Sequence, residues 1–535
     1  MIVHIALAIG LPAQAGETTY EVVPLPTDIR LTGGEPFVID SDCALCIEHC
    51  ALPDAQMQRN ATFLRDYIAQ SVGLSLPIAA KAPSGAKAIR LSVDKTLGNE
   101  EAYHLSISAR GGIRIEGGSP RGVFYGVQTL RKSLQGATLP AVEIYDRPRF
   151  SYRAMHLDVC RHFFPVETVK AYIDLLALHN MNTFHWHLTD DQGWRIESRK
   201  YPRLHETGSR RRHTVIGRNT GLFDETPHGG YYTQEQLREV VRYAEERCIT
   251  VIPEVELPGH ALSILAAYPE LGCTGGPYEV EPTWGIFDDI LCAGNDQAFD
   301  LLCGVIDEIA DIFPSKYINI GGDEAPKTRW EKCQKCQRRI REQGITGDGT
   351  LTAEARLQGY FTNRIEQHVS SLGRQIIGWD EIMEGDISQS ATILCWRGVE
   401  AGVKAAEQGH DVIMAPTAYC YFDYYQTDEN KGWSKPLLIG GHVPLEKVYG
   451  YEPAPNTLSD AAKRHIIGVQ ANIWTEYIAW PSLLFYQMLP RAAALAEIQW
   501  TQPAQKNYEA FVERERRMAA IYEHEGYPYC KDAIK

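Results

Sequence analysis

The sequence predicts an α/β protein in which a small mixed domain precedes a (β/α)8 (TIM) barrel. The chain has 535 residues, more than the usual ~100–200 residues of one domain. Residues 20 to 145 alternate short strands with two helices. From about residue 150, short apolar runs are each followed by a polar loop and an amphipathic helix, which is typical of βα units on a parallel sheet. Eight such units in about 350 residues favour a closed barrel with insertions over the alternative, a doubly wound open sheet.

Composition and charge narrow the class of protein. Hydrophobic residues make up 44% and charged residues 23%, as in ordinary globular proteins. Lys and Arg number 53 against 68 Asp and Glu, which gives a net charge of −15. A negative net charge is unfavourable for a protein that binds nucleic-acid phosphates or anionic lipid. No apolar run reaches the ~18 residues of a membrane-spanning helix, so none is predicted.

The first fifteen residues resemble an export signal. The apolar run Ile2–Leu11 precedes Ala13-Gln14-Ala15, an A-x-A cleavage pattern. We therefore predict that residues 1–15 are a signal peptide, that the globular part begins near Glu17, and that the protein is exported. No Lys or Arg precedes the run, and a buried first strand is the alternative.

Residues 17–145 are predicted to form the small α/β domain. Alternating apolar residues predict strands at Ala88–Val93, Tyr103–Ser108 and Gly112–Glu116, and helical periodicity covers about residues 54–70 and 120–134. Residues 143–150 contain a proline among charged residues, which predicts a connecting segment between this domain and the next. The barrel is expected at 150–505, with a helical tail at 506–535.

The eight predicted barrel strands are short apolar runs of three to seven residues. They are Arg153–Val159, Thr183–Leu188, Thr250–Val255, Tyr317–Ile320, Gln375–Ile377, Thr392–Trp396, Val412–Ala415 and Ile466–Ala471. Amphipathic helices between them are predicted at Thr233–Arg247, Gln297–Ile312 and Leu351–Ser371.

The thirteen cysteines leave several possibilities open. Cys273 and Cys292 bracket a loop rich in glycine and proline and could form a disulfide in an oxidising compartment. Cys333-x-x-Cys336 suggests zinc. No second pair at metal-site spacing is evident, because the other cluster, at 43, 46 and 50, is far away in sequence.

The residues that follow the predicted strands are unusually reactive and aromatic. In a barrel of this kind the active site lies at the carboxyl ends of the strands. Four of the ten tryptophans lie at such ends: Trp186, Trp379, Trp396 and Trp474. Tryptophan packs on the apolar faces of sugar rings, and carboxylates or arginine bind hydroxyls, so these positions indicate a carbohydrate pocket.

The motif Gly321-Gly322-Asp323-Glu324 is the strongest catalytic candidate. Two carboxyls at one site can have their pKa values pushed apart, which leaves one as a proton donor near neutral pH. Neighbours in a regular strand point to opposite faces. The pair can therefore act together only where the strand is leaving the sheet, which the glycines permit. The alternative is a solvated acidic loop.

The same residues allow two other kinds of site, a metal site and a non-catalytic sugar-binding site. His185-x-His187 with Asp190 or Asp323 could bind a catalytic metal, because i and i+2 on a strand share a face. The two imidazoles could equally be hydrogen-bond partners inside the barrel. A non-catalytic sugar-binding protein would explain the tryptophans but not the carboxyl pair among them.

Several separated motifs together resemble family 20 of the glycoside hydrolases, the β-N-acetylhexosaminidases. They are His156–Phe163, Phe184–Trp194, Pro253–His260, Gly321–Glu324, Gly378-Trp379 and Val469–Glu476. The resemblance implies a (β/α)8 catalytic barrel and a small non-catalytic domain ahead of it. It also implies exo-hydrolysis of terminal β-linked N-acetylglucosamine or N-acetylgalactosamine from oligosaccharides or glycoconjugates, with no metal or cofactor.

The same resemblance implies a role for each matching residue. Glu324 would be the general acid/base, and Asp323 would orient and polarise the acetamido group of the substrate. Asp190 and His260 would form the hydrogen-bonded chain behind the acid. The remaining matches would bind the sugar: Arg161, Asp423 and Glu476 its hydroxyls, Tyr421 the acetamido carbonyl, and Trp379, Trp396 and Trp474 its faces. Glu256 and Gln470 depart from the family, where aspartate and glutamate are common.

Overall fold

The computed structural model describes residues 20–48, 54–79, 81, 87–134, 136–427 and 436–535. The predicted signal peptide and Cys50 lie outside the described residues. Within these ranges no helix combines the length and the apolar character needed to cross a bilayer.

The small domain is a mixed seven-stranded sheet with two helices packed on it. Strand Tyr103–Ser108 buries every second residue, which is the alternation of a sheet covered on one face. The strands are β1 (Asp28–Leu31), β2 (Cys43–Ile47), β3 (Ile78–Ala79), β4 (Lys87–Val93), β5 (Tyr103–Ser108), β6 (Gly112–Gly117) and β7 (Val142–Asp146). Their order in the sheet is β1-β7-β5-β6-β4-β2-β3.

The two helices of this domain begin at capping residues that the sequence supplies. α1 (Ala55–Val72) starts after Asp54, whose carboxylate accepts hydrogen bonds from two backbone amides. α2 (Pro120–Ser133) starts after Ser119 with proline in its first turn, where proline costs no hydrogen bond. Both helices lie within two residues of the predicted positions.

The eight predicted barrel strands are confirmed, and they close on themselves. The first pairs in parallel with the second and with the eighth, so the open-sheet alternative is wrong. The strands are β8 (Tyr152–Asp158), β9 (Thr183–His187), β10 (Thr250–Glu254), β11 (Tyr317–Asn319), β12 (Gln375–Trp379), β13 (Thr392–Cys395), β14 (Val412–Met414) and β15 (Ile466–Ile473).

Helices surround the barrel and include the three that periodicity predicts. The longer ones are α3 (Val166–Leu178), α4 (Gln234–Glu246), α5 (Asp296–Ile312), α6 (Gln334–Glu342), α7 (Ala353–Ser371), α8 (Val399–Glu407), α9 (Pro481–Met488), α10 (Arg491–Trp500) and α11 (Tyr508–Glu525). Shorter helical turns lie at 95–97, 203–206, 262–267, 269–271, 328–332, 380–384, 417–420, 445–450, 460–463, 503–505 and 531–534. Two-residue strands pair 37–38 with 138–139, 189–190 with 193–194, and 210–211 with 228–229.

The barrel interior is filled in layers, as strand alternation requires. An apolar cluster contains Tyr152, Ala154, Ile252, Ile377 and Leu394. A buried polar layer is formed by the next inward-facing residues along the strands, and it supports the floor of the cavity described below. This polar layer contains His156, His185, His187, Glu254, Asn319, Gln470 and Asn472.

The cysteine predictions need correction. Cys273 and Cys292 are free thiols rather than a disulfide. Both lie beside Cys333 and Cys336, with all four sulfurs within 4.8 Å of one another. The fold therefore supplies the second cysteine pair that sequence spacing does not reveal. This pair is Cys273 and Cys292, which lie in the loop after β10, whereas Cys333 and Cys336 follow β11.

Candidate active site

A cavity of about 380 Å³ opens at the carboxyl ends of the barrel strands. This volume is within the range of about 300–1,000 Å³ typical of small-molecule sites. All the residues predicted to act on or bind a sugar line it, and of the eleven predicted site residues only Asp190 does not. Those in the lining are Arg161, His260, Asp323, Glu324, Trp379, Trp396, Tyr421, Asp423, Trp474 and Glu476.

The carboxyl pair faces the cavity because the backbone leaves the sheet in an unusual conformation. β11 ends at Asn319, and Gly321, Gly322 and Glu324 have φ angles of 64°, 99° and 46°. A side chain at Gly321 would also meet Glu256, since a Cβ atom there would lie 1.8 Å from Glu256 Oε2. A side chain here would have to displace the buried Glu256 carboxyl, and the two adjacent carboxyls Asp323 and Glu324 line one cavity as predicted.

Asp323 is the more buried member of the pair. Its side chain is 12% exposed, against 31% for Glu324, and its Oδ1 atom has no hydrogen-bond partner among the described residues. Burial raises its pKa to about 6, opposed by His260 and reinforced by Glu324 and Glu254. The carboxyl is partly exposed where it lines the cavity, so a ligand there can donate a hydrogen bond to it.

His260 lies between the carboxyl pair and a second acidic pair. Its Nε2 atom is 3.5 Å from Glu324 Oε2 and 3.7 Å from Asp323 Oδ2. Its Nδ1 atom is hydrogen-bonded to Asp191 Oδ2 at 3.0 Å and lies 3.4 Å from Asp190 Oδ1. Burial would lower the pKa of His260, but these carboxylates raise it well above its ordinary value.

Asp190, which lies 3.4 Å from His260, also supports a part of the site that was not predicted. It is 2.9 Å from Arg161 Nη2 and 2.8 Å from His187 Nε2. Arg161 is held further by Asp158 at 3.2 Å and Gln192 at 2.9 Å. The guanidinium is thereby fixed in position at the edge of the cavity, and Asp191, which sequence reasoning missed, is the hydrogen-bonded partner of His260.

Three tryptophans form an apolar wall, and buried carboxyls orient two of them. Trp379 Nε1–H donates to Glu254 Oε1, and Trp396 Nε1–H donates to Glu381 Oε2, each at 2.9 Å. Trp474 lies 5.9 Å from Trp379 between ring centroids, at 40°. Such planar faces set across a pocket suit a flat or cyclic ligand.

Further groups around this wall are placed to meet polar ligand atoms. Tyr421 stacks on Trp396 with centroids 6.3 Å apart. Neither carboxyl oxygen of Asp423 has a hydrogen-bond partner among the described residues. Burial, reinforced by Glu476, raises the pKa of Asp423 well above its ordinary value. Burial also raises the pKa of Glu476, although Arg161 opposes this effect.

His185 and His187 point into the barrel together, as the HxH spacing predicts. His187 is hydrogen-bonded to Glu254 and, at 2.8 Å, to Asp190. His185 lies 3.0 Å from Glu254, Asn319 and Gln470. The ring nitrogens of both histidines therefore have polar partners within the protein. This agrees with the alternative in which the two imidazoles are hydrogen-bond partners inside the barrel.

Sequence reasoning assigned no role to several further residues of the site, among them Asp191, Glu254, Glu381 and Trp284. Asp191 and Glu254 lie inside motifs that were identified, Glu381 is two residues after Gly378-Trp379, and all three orient another side chain. Trp284 lines the cavity from a long loop far from any strand end. Only the three-dimensional path of that loop could reveal Trp284.

Comparison with known proteins identifies related enzymes. Residues 150–503 match the model of "Glycosyl hydrolase family 20, catalytic domain", and residues 19–147 match "Glycosyl hydrolase family 20, domain 2". A beta-hexosaminidase of Porphyromonas gingivalis is 42% identical over 92% of this chain, which spans 62% of that enzyme's length. A beta-hexosaminidase of Akkermansia muciniphila is 33% identical over 80% of this chain and 85% of its own.

Solved structures agree over the same range. The exo β-N-acetylglucosaminidase of Vibrio harveyi, in complex with N-acetylglucosamine, has a TM-score of 0.83 at 31% identity. The match covers 96% of this chain and 79% of that one. A β-N-acetylhexosaminidase of Streptomyces coelicolor has a TM-score of 0.81 at 27% identity over 96% of this chain and 98% of its own.

Proposed function

Because the chain belongs to glycosyl hydrolase family 20, we propose that it is an exo-β-N-acetylhexosaminidase that acts by substrate-assisted retention. The observation that carries the proposal is the adjacent pair Asp323 and Glu324, which face one tryptophan-lined cavity. Its substrates are oligosaccharides or glycoconjugates ending in β-linked N-acetylglucosamine or N-acetylgalactosamine. The relatives named above, which are hexosaminidases, support this assignment.

In the first step the acetamido oxygen of the substrate attacks the anomeric carbon while Glu324 protonates the departing oxygen. Glu324 suits this role because it is the more exposed carboxyl of the pair and can reach the leaving group. In the second step Glu324 accepts a proton from a water molecule as the oxygen of that water attacks the anomeric carbon. This attack opens the oxazolinium intermediate. Two inversions at one carbon give net retention without a covalent bond to the protein.

Asp323 stabilises the charge that develops on the acetamido group. As the carbonyl oxygen attacks, the amide nitrogen becomes partly positive, so an ionised Asp323 that accepts the N–H hydrogen bond binds the transition state more strongly than the substrate. The exposed part of its carboxyl lines the cavity, where it is placed to accept this bond. The Tyr421 hydroxyl donates to the acetamido oxygen from the other side.

His260 is a positioning residue for Glu324. The surrounding carboxylates raise its pKa well above the ordinary value, which favours the protonated ring that donates from Nδ1 to Asp191 and from Nε2 toward the carboxyl pair. Asp190 contributes through Arg161 and His187. This arrangement orients Glu324.

The remaining residues bind the terminal sugar. Arg161, Asp423 and Glu476 hold its hydroxyls, because all three polar side chains line the cavity. Trp379, Trp396 and Trp474 enclose the acetamido group and one face of the ring. Such contacts hold the acetamido oxygen near the anomeric carbon, where orientation alone accelerates the attack.

Export and the division of the chain are also proposals. We infer a protein that acts outside the cytoplasm, from the signal-like sequence of residues 1–15. We infer a non-catalytic domain at 17–145, a catalytic barrel at 150–505 and a helical tail at 506–535. Consistent with a packed tail, Tyr522 in α11 is hydrogen-bonded to His179 beside the barrel at 2.9 Å.

A panel of aryl β-glycosides of N-acetylglucosamine, N-acetylgalactosamine, glucose and galactose tests the proposed function. Only the two sugars with an acetamido group supply the internal nucleophile, so only they should be cleaved at appreciable rates. Cleavage of glucosides or galactosides at equal kcat/KM would overturn the proposal. Asp323→Asn serves as the inactive control.

A further inference from the structure

We propose that Cys273, Cys292, Cys333 and Cys336 bind one structural zinc ion beside the active site. Their sulfur atoms come together within 4.8 Å although 63 positions of sequence separate the first from the last. Three of the four side chains are buried and the fourth is half-buried. A closed set of four cysteine thiolates is one of the recurring kinds of structural zinc site.

The separations between the sulfurs fit a metal ion rather than disulfides. Cys292 Sγ lies 3.6 Å from Cys336 Sγ and 3.7 Å from Cys333 Sγ, and Cys273 Sγ lies 3.8 Å from Cys336 Sγ. Sulfurs that surround zinc tetrahedrally at about 2.3 Å lie about 3.8 Å apart. Disulfide sulfurs lie only about 2.05 Å apart.

The backbone around these cysteines approaches as closely as a shared metal requires. Cys333-x-x-Cys336 begins α6, whose amino end favours negative charge such as that of thiolates. Gly294, two residues after Cys292, passes so near this turn that a Cβ atom would lie 2.1 Å from the Lys335 carbonyl carbon. Any side chain at 294 would separate the two pairs of thiols.

The position of the cluster indicates its purpose. Cys273 and Cys292 are the two ends of a loop whose middle residues, Trp284 and Ile286, line the active-site cavity. Cys333 and Cys336 follow Glu324 by nine and twelve residues. A zinc ion bound here would fasten the loop to the segment that carries the proton donor.

Other contacts join the same two segments and show that the cluster lies at a built junction. Arg329 makes a paired interaction with Asp289 at 2.8 and 2.9 Å. Trp330 Nε1–H donates to the Leu291 carbonyl oxygen at 2.9 Å. Zinc would add a closed cross-link to a junction that already positions one wall of the cavity.

The direct test is the metal content of the unmodified full-length chain, purified with a reductant but without chelators or metal-affinity resin. Elemental mass spectrometry should find close to one zinc per chain. A mercurial reagent that blocks thiols should release it, as followed with a colorimetric zinc indicator. Chains that carry iron instead, chains without metal, or chains four hydrogens lighter through two disulfides would each overturn the assignment.

Variants locate the ion. The double variant Cys333→Ser/Cys336→Ser should lose the zinc, whereas Cys303→Ser, which changes a half-buried thiol of α5 outside the cluster, should retain it. Cobalt bound in place of zinc should give the intense visible absorption of a tetrahedral thiolate complex. Retention of zinc by the double variant would contradict the assignment, and if that variant does not fold, the measurement on the unmodified chain still decides.

The effect on the active site is measured separately and depends on the proposed hexosaminidase activity. Loss of zinc should lower the melting temperature. It should also raise KM for an N-acetylglucosaminide more than it lowers kcat, because Trp284 and Ile286 form part of the cavity wall and take no part in the reaction. An unchanged melting temperature and KM in zinc-free chain would mean that the ion does not fasten this loop. The metal analysis does not depend on activity, so the two proposals can fail independently.

Discussion

Asp323→Asn should make the protein more stable at neutral pH while it abolishes most of the activity. In the folded chain Asp323 is buried and its pKa is raised from 3.8 to about 6. In the unfolded chain the same carboxyl is in water. Ionisation of Asp323 therefore favours the unfolded state, and asparagine, which does not titrate, removes that cost.

The size and sign follow from the pKa difference. A raised pKa of an acid contributes stability below its unfolded value, and this contribution is lost as pH rises through the folded value. Two pKa units correspond to about 3 kcal/mol. At pH 7 the variant should gain up to about 3 kcal/mol of unfolding free energy relative to the parent, and at pH 5 about half of that.

Urea unfolding of both chains at pH 5 and pH 7 measures this difference. Asp386→Asn is the matched control, because the Asp386 side chain is 97% exposed and its replacement should change little at either pH. A stability difference between Asp323→Asn and the parent that is the same at both pH values would refute the argument. It would mean that Asp323 is not ionised at a cost in the folded chain.

Three further substitutions test the proposed roles. Glu324→Gln should slow hydrolysis of a disaccharide by about 10²–10⁴-fold but an activated nitrophenyl glycoside much less, and equal losses would exclude a proton donor. Trp474→Ala should lower kcat/KM by about 10²-fold, measured on the N-acetylglucosaminide, whereas an unchanged value would place this ring outside the site. Gly321→Ala should lower the melting temperature far more than Gly344→Ala. Both have similar positive φ angles, but only at Gly321 would a Cβ atom strike Glu256, so equal shifts would contradict the steric argument.

The barrel and the catalytic pair could be predicted because their signals are local. Each strand is a short apolar run buried on both faces, and its position therefore shows in a few consecutive residues. The pair Asp323-Glu324 follows such a run directly, with two glycines that permit the turn. These features require no knowledge of which elements meet in space.

The parts that could not be predicted depend on long-range placement. Asp191 and Asp190 are neighbours in sequence, and only the direction of each side chain decides which one is hydrogen-bonded to His260. Trp284 reaches the cavity from the middle of an insertion. The four-cysteine cluster joins loops that follow two different strands, and its ligand spacing is set by the barrel rather than by sequence.

The most direct test of substrate-assisted catalysis is the rate of hydrolysis of N-acetylglucosaminides whose acetyl group carries one, two or three fluorine atoms. Fluorine withdraws electrons from the carbonyl oxygen, so each added atom should weaken the internal nucleophile. If that oxygen attacks the anomeric carbon, kcat/KM should fall steeply and progressively along the series. Rates that stay constant across the series would show that the acetamido group is not the nucleophile and would contradict the assigned roles of Asp323 and Glu324.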